Sequence, residues 1–385
     1  MGRHFSHLHS AVKAIEQYDG SMPFNNSIKA FFAKEKKYGS KDRKQIATLC
    51  YSYFRSGHLF KTAETSEKII ASVFLSQQRP DDFLAELKPD WAPQIGLSFP
   101  EKLAMLNKNT EQLFPFIKSL SREVDGDLFV ASLFVQPALF VRVRPGKLNI
   151  VEQKLKVAAV PFAMVSDDCL SLPNSTKAEE ILLINQEVVI QDLNSQKVFD
   201  YLKANKVSFD YASTWDCCAA SGGKSILLYD RLQGKVRLTV TDIRETILSR
   251  LHTRLSTAGI KIENSYLTDL TRSGLPSDDN FDIIVCDVPC TGSGTWSRTP
   301  EQMYYFHQSK IQTYAAMQRQ IITNSMGSLK KGALFFYITC SVFAEENDEQ
   351  VNFIKKNFSV EPVLVSYYKG YEHKADTMFV AVFKS

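Results

Sequence analysis

Apolar positions change their spacing twice along the chain. Up to about residue 125 they recur every three or four positions. Ile46, Leu49, Cys50, Tyr53 and Phe54, after the start signal Gly39-Ser40, predict a helix with one buried face. Pro100-Glu101-Lys102 opens another, with proline in the first turn that tolerates it. From about 126 to 200 the period shortens. Leu139-Phe140-Val141-Arg142-Val143-Arg144 alternates in its second half and stops at Pro145-Gly146, which reads as a strand closed by a turn. A helix over 150–157 and short strands near 162–165 and 187–190 complete a small α/β unit.

Beyond about 200, strand and helix patterns alternate. Strands over 209–215, 236–240, 281–286 and 333–338 run into Asp216, Thr241-Asp242, Asp287 and Thr339-Cys340. Helical stretches over 224–232, 245–255 and 308–329 lie between them, and 378–383 reads as a last strand. This is the pattern of a doubly wound, mostly parallel α/β sheet. Such sheets bind ligands at the carboxyl ends of their strands. Asp216, Asp242, Asp287, Cys290 and Cys340 all fall at or just past such ends. The chain shows no internal repeat.

Composition narrows the class. The 385 residues are 44% apolar and 23% charged, which excludes disordered and collagen-like chains. The longest apolar stretch, 128–141, is broken by Ser132, Gln136 and Pro137 and is too short to span a bilayer. The start, Met1-Gly2-Arg3-His4-Phe5, lacks an apolar leader core, which argues against secretion. Gly2 with Ser6 fits the loose myristoylation pattern only by chance. Seven cysteines without a C-x-x-C pair argue for free thiols, no metal site and a cytoplasmic location. The net charge of +4 is uneven: residues 1–60 hold ten Lys or Arg against four acids, so the remainder is slightly acidic. A basic start suggests a polyanion partner; a solvated helix face is the alternative.

Four places carry chemistry. Residues 216–225, Asp-Cys-Cys-Ala-Ala-Ser-Gly-Gly-Lys-Ser, follow a strand and open a helix. Small residues and paired glycines let a ligand approach the backbone beside an electropositive helix N-terminus. The stretch misses the phosphate-binding G-x-x-x-x-G-K-[ST] loop because Cys218 stands where the first glycine is required; a nucleotide hydrolase is the rival reading. Asp242 stands where Rossmann-like folds hold ribose hydroxyls, with an N-cap for the helix near Arg244 as the alternative. Asp269 falls where a further strand would end. Cys290, in Asp287-Val288-Pro289-Cys290, and Cys340, before Glu345-Glu346-Asn347, bring two thiols to one edge. A single cysteine is more often a buried structural residue.

Together these loops resemble the RsmB/Sun-type RNA (cytosine-5) methyltransferases. That family's D-x-C-A-A-P-G-G-K-T, D-x-P-C-S-G-x-G and T-C-S-x-x-x-x-E-N motifs stand here, in order, at 216–225, 287–294 and 339–347. Upstream, Val188-Val189-Ile190-Gln191-Asp192 with Ser195-Gln196 resembles the family's approach to its first strand. Arg142-Val143-Arg144 resembles its R-V-N, and Asp42-Arg43 with Tyr51, Phe54 and Arg55 its NusB-like helical domain. The resemblance implies a class I S-adenosylmethionine-dependent, Rossmann-like methyltransferase domain over 201–385. It also implies an all-α RNA-binding domain over 1–125 and a small α/β linker unit over 126–200. Ser221 replaces the loop proline, Ser225 the final threonine, Thr291 the serine and Arg144 the asparagine; 375–379 is a degraded G-x-D-G-F-F.

The chemistry accounts for the constellation. C5 of cytosine is a poor nucleophile toward a methyl sulfonium. A thiolate adding at C6 makes C5 an enamine carbon; a base then removes the C5 proton and the thiol leaves. With an unperturbed pKa of about 8.5, only roughly 3% of a thiol is ionised at pH 7. The resemblance implies Cys340 as nucleophile and Cys290 as the group assisting release. Asp287 would sit near the cytosine N3/N4 edge and the cofactor, and Lys224 between loop and base. Cys218, Ala219, Ala220, Ser221, Gly222, Gly223 and Lys224, with Asp242, Asp269 and Asp287, would hold S-adenosylmethionine. The target base must be unstacked, and Arg142, Arg144 and Arg298 are expected to touch RNA; Lys310 and Arg319 could extend that surface or be solvated charges. The chain ends at its last expected strand, without an appended C-terminal RNA-binding domain. With the helical N-terminus, this favours ribosomal RNA over tRNA as the substrate of a monomer. A non-catalytic RNA-binding assembly factor of the same fold is the remaining alternative, against which the intact cysteine pair argues.

Overall fold

The computed structural model describes residues 2–60 and 62–385. Contacts divide the chain into two compact units. The first holds residues up to 120, 125–136 and 295–308; the second holds 121–124, 137–294 and 309–385.

Helices Arg3–Glu16, Phe24–Lys34, Ser40–Arg55 and Thr65–Ser76 build much of the first unit. Their apolar stripes, including Leu8, Phe24, Ile46, Phe54, Ile69 and Phe74, share one core, as the three-and-four spacing predicts. Segment 295–308 completes this unit from far along the chain. It carries the short helix Pro300–Tyr304. Glu301 Oε1 accepts the Phe24 N–H at 3.3 Å. Pro23, which precedes that helix, offers no side-chain cap, so the buried carboxylate satisfies an otherwise orphaned donor at a positive helix end. Lys68 is buried, its Nζ 4.4 Å and 4.2 Å from the ring centres of Tyr53 and Tyr304. The two tyrosine hydroxyls lie 2.9 Å apart.

The second unit contains two sheets. Strands β1 (Leu139–Val143), β2 (Ala163–Ser166), β3 (Cys169–Leu172) and β4 (Val188–Ile190) form an antiparallel sheet in the order β2-β3-β1-β4. Val141, Val143, Leu170 and Leu172 pack with Val151 and Leu155, the last two on helix Leu148–Val157.

The larger sheet comprises β5 (Ala212–Asp216), β6 (Val236–Asp242), β7 (Ile262–Leu267), β8 (Phe281–Asp287), β9 (Leu329–Thr339), β10 (Glu361–Tyr368) and β11 (Met378–Lys384). Its order is β10-β11-β9-β8-β5-β6-β7. Strands β5 to β9 run parallel, and β11 pairs antiparallel with both β9 and β10. Both faces are covered. Ile283, Val285, Phe336 and Ile338 enter one core, while Ile284, Cys286, Phe335 and Tyr337 enter the other. This explains why β8 and β9 read as nearly continuous apolar runs. The architecture is a Rossmann-like, doubly wound α/β sheet, as the alternating strand and helix pattern predicts. Strand order reverses between β5 and β8, and the crevice at their carboxyl ends is where such a sheet binds ligands. Among the described residues, no helix is long and apolar enough to cross a membrane.

Candidate active site

β5 ends at Asp216, which is buried; Ser225 Oγ donates to its Oδ2 at 2.6 Å, and burial pushes its pKa up to about 7. Between these residues the chain turns sharply. Cys217 N–H reaches the Val285 carbonyl and Ala219 N–H that of Thr241, each at 3.0 Å, so the turn is tied to β8 on one side and β6 on the other. Ala220 and Gly222 adopt left-handed backbone, with φ of +45° and +81°. A Cβ at Gly222 would also strike Leu251, so both conformation and space require glycine. Helix Gly223–Arg231 follows. A Cβ at Gly223 would meet nothing within 4 Å, so a ligand can approach the helix N-terminus.

Asp242 lies at the tip of β6 beside this turn. Its Oδ2 accepts the Ala220 N–H at 3.0 Å, and Arg244 donates to both oxygens at 3.0 and 3.1 Å. Burial pushes its pKa up, but the Arg244 hydrogen bonds prevail and hold it below the ordinary carboxylate value. Helix Glu245–Thr257, for which a cap is the alternative reading, starts from Arg244, and Asp242 Oδ1 accepts the Arg244 N–H at 2.9 Å. The carboxylate thus braces both the helix start and the ligand turn. Asp269 is close by through the Thr268 N–H, which reaches the Asp242 carbonyl at 3.1 Å. Its own side chain caps Thr271 at 2.6 Å and pairs with Arg272 at 3.2 Å. Ile243 and Leu267, next to these acids, remain exposed. An acid, an open helix N-terminus and unburied aliphatic side chains fit a nucleoside-bearing ligand.

Across the switch point, Lys224 Nζ lies 2.5 Å from Asp287 Oδ2. Burial would lower the lysine pKa; the Asp287 charge and hydrogen bond, with Cys340 and Asp216 adding to them, raise it above its ordinary value. Cys290 and Cys340 bring their sulfurs to 3.4 Å. The neighbouring Cys340 first, and burial second, push the Cys290 thiol well up.

Residues assigned no role from sequence hold this pair. Glu346 is fully buried. Its carboxylate accepts from Thr291 N–H at 2.9 Å, Thr291 Oγ1 at 2.6 Å, Gln318 Nε2 at 2.9 Å and Ser341 Oγ. Burial raises its pKa against the pull of these donors. One side chain thus joins the residue after Cys290 to the residue after Cys340. Gln318 also donates to the Pro289 carbonyl at 3.1 Å, and Asn347 Nδ2 to that of Ser341 at 2.9 Å. Gly294 N–H meets the Cys340 carbonyl at 2.8 Å, and a Cβ there would collide with the Thr377 carbonyl oxygen. Glu346 and Asn347 are the last letters of the third motif. In the sequence they show only as Glu345-Glu346-Asn347 a few positions after Cys340, which does not reveal the buried role of Glu346.

Two of the three arginines expected to meet RNA are engaged inside the protein. Arg142 is buried, donating to Asp230 at 2.6 Å and Gln191 at 3.1 Å. Arg144 grips Asp230 through Nε and Nη2 and donates to the carbonyls of Asn185 at 2.9 Å and Ala258 at 2.6 Å. Both charges are spent inside the second unit, because Asp230 lies under the strand face that carries them. Arg298 falls in the first unit, half-buried just before helix Pro300–Tyr304.

Known proteins resemble this chain. The family model described as 16S rRNA methyltransferase RsmB/F matches residues 209–383. The ribosomal RNA small subunit methyltransferase B of Enterobacter sp. (strain 638) is 31% identical over 164 residues, covering 43% of this chain and 37% of that relative. The chain thus spans little more than a third of that curated relative's length. The crystal structure of PH0851 covers 98% of both chains at a TM-score of 0.73 and 17% identity. That of NSun6 from Pyrococcus horikoshii with SFG covers 70% of this chain and 96% of its own, at a TM-score of 0.60 and 16% identity. At such identities the structural likeness speaks for the fold alone.

Proposed function

From the match of residues 209–383 to the RsmB/F family model, we propose that this chain methylates C5 of cytosine in RNA through a covalent Cys340 adduct. Ribosomal RNA is the favoured substrate and tRNA the alternative. The observation that carries the reading is the pair of sulfurs 3.4 Å apart on the ligand edge of the sheet, beside the Lys224–Asp287 ion pair. S-adenosylmethionine supplies the methyl group. The turn 218–224, with Asp242, Asp269 and Asp287, holds it.

Cys340 adds through sulfur to C6. Cys290, kept protonated, donates its S–H to the Cys340 sulfur and eases its ionisation. The Lys224 ammonium places positive charge on the same side, and Asp287 faces the N3/N4 edge of the base. Once the Cys340 sulfur is bonded to carbon, the foremost cause of the raised Cys290 pKa is gone. After methyl transfer Cys290 releases its own proton to solvent, and the resulting thiolate takes the C5 proton; the C5–C6 double bond re-forms as the C6–sulfur bond breaks, and Cys340 leaves as a thiolate. The domain over 1–125 grips RNA, with exposed Lys29, Lys34, Lys36, Lys41 and Lys44 available to phosphates. Residues 126–200 serve as the linker unit and 201–385 as the methyltransferase domain of a cytoplasmic monomer.

The test uses methyl-labelled S-adenosylmethionine with unmodified rRNA and tRNA transcripts. We expect label on cytosine C5, no label with Cys340→Ala, and a protein–RNA adduct on denaturing gels with Cys290→Ala. Cofactor binding without label on any RNA, including ribonucleoprotein particles, would overturn the reading in favour of an assembly factor.

A further inference from the structure

Two departures from the family motifs meet at one residue. Ser221 stands where the ligand turn has proline, and Arg144 where R-V-N has asparagine. Proline would fix the backbone of the turn at φ near −65°; serine leaves it free. Arg254, on helix Glu245–Thr257, reaches across to this position. Its Nη1 donates to both the carbonyl oxygen and the Oγ of Ser221, each at 3.0 Å. Its Nε donates to Asn185 Oδ1 at 2.9 Å. Asn185 is itself immobilised: its backbone is left-handed at φ +69°, its N–H reaches the Val188 carbonyl at 2.6 Å, and its carbonyl accepts from Arg144. Arg144 also holds the carbonyl of Ala258, at the end of the helix that carries Arg254. Arg254 is therefore fixed at Nε by Asn185 and along its helix by Arg144, and its Nη1 is spent on Ser221.

We infer that Arg254, seated by Asn185 and Arg144, is a positioning residue that holds the ligand turn in place of the missing proline. The cofactor role of that turn rests on the function proposed above; the mechanical role does not. Ser221 adjoins Ala220 and Gly222, the two left-handed residues of the turn, and Ala220 N–H is bonded to Asp242. Restraint at Ser221 therefore limits the drift of every backbone amide between Ala219 and Gly223. No hydrogen bond from the Ser221 N–H is seen among the described residues, so a proline placed there gives up only the Oγ contact with Arg254.

Four proteins test this: wild type, Arg254→Ala, Ser221→Pro and the double variant. Two readouts apply: calorimetric affinity for S-adenosylmethionine and hydrogen exchange of the amides 219–223. In Arg254→Ala we expect affinity about ten-fold weaker, faster exchange in the turn, and kcat at saturating cofactor within about two-fold of wild type. The double variant should recover both affinity and protection, and Ser221→Pro alone should keep the exchange protection of the turn. Unchanged exchange in Arg254→Ala, a double variant as loose as the single one, or a loosened Ser221→Pro would each overturn the inference. A wild-type protein that binds no S-adenosylmethionine would instead sink the proposed function, while the exchange comparison would still decide the role of Arg254.

Discussion

The two halves of the sheet's ligand edge are held by opposite means. On the β8–β9 side, the cysteine loops are tied from beneath by one buried carboxylate, Glu346, and neutral donors: Thr291, Ser341 and Gln318. On the β5–β6 side, the ligand turn depends on left-handed backbone at Ala220 and Gly222 and on arginines reaching in from outside, Arg244 onto Asp242 and Arg254 onto Ser221. The first arrangement leaves nothing to adjust and sets one sulfur–sulfur distance. The second uses groups that can exchange partners: the Asp242 carboxylate, now facing Arg244, can turn part of its capacity to a ribose. A reacting pair needs fixed geometry, whereas a cofactor site must open and close.

Substitutions can break or sharpen this contrast. The largest effect belongs to Cys340→Ser, which should cut kcat/KM by at least about 10³-fold while leaving cofactor affinity unchanged. Glu346→Ala comes next. It strands several buried donors and should lower unfolding stability by about 3–5 kcal/mol in denaturant titrations; a loss below about 1 kcal/mol would dissolve the contrast. Lys224→Met should lower kcat about 10²-fold in single-turnover assays. Asp242→Asn should weaken S-adenosylmethionine about ten-fold by calorimetry, with little change in Tm. A last effect is confined to pH. Asp216 has its pKa raised from 3.8 to about 7 by burial. A raised value means its contribution to stability is fully present below about pH 4 and is lost as pH rises through 7. In Asp216→Asn this part of the pH dependence should disappear; identical slopes in both proteins would show that Asp216 remains ionised.

What the sequence reveals follows from how local each signal is. Strands β5, β6, β8 and β9 are apolar runs with chemistry at their ends, so their carboxyl edge is readable from spacing alone. Strand β3 has four residues, and β7 and β10 are edge strands whose exposed positions blur the alternation; none announces itself. The cysteines are legible because each sits beside a strand end in a motif. The hub that unites them is not, because the importance of Glu346 lies in its bonds to Thr291 and Gln318, 55 and 28 positions away. Arg142 and Arg144 mislead for the same reason. On a strand they look like a basic face, and only the fold brings Asp230, 88 and 86 positions on, beneath them.

Segment 295–308 has a consequence for the order in which the protein can be made. The polypeptide passes between the two units five times, and the last return to the first unit ends at Gln308. Until those residues emerge from the ribosome, the Phe24 N–H lacks its Glu301 carboxylate and Lys68 lacks the Tyr304 ring. An N-terminal domain ordinarily completes its fold while the remainder is still being synthesised. Here the first unit stays unfinished until after the Cys290 loop, 287–294, has been translated, so its maturation and that of the catalytic edge fall in the same late stage of synthesis.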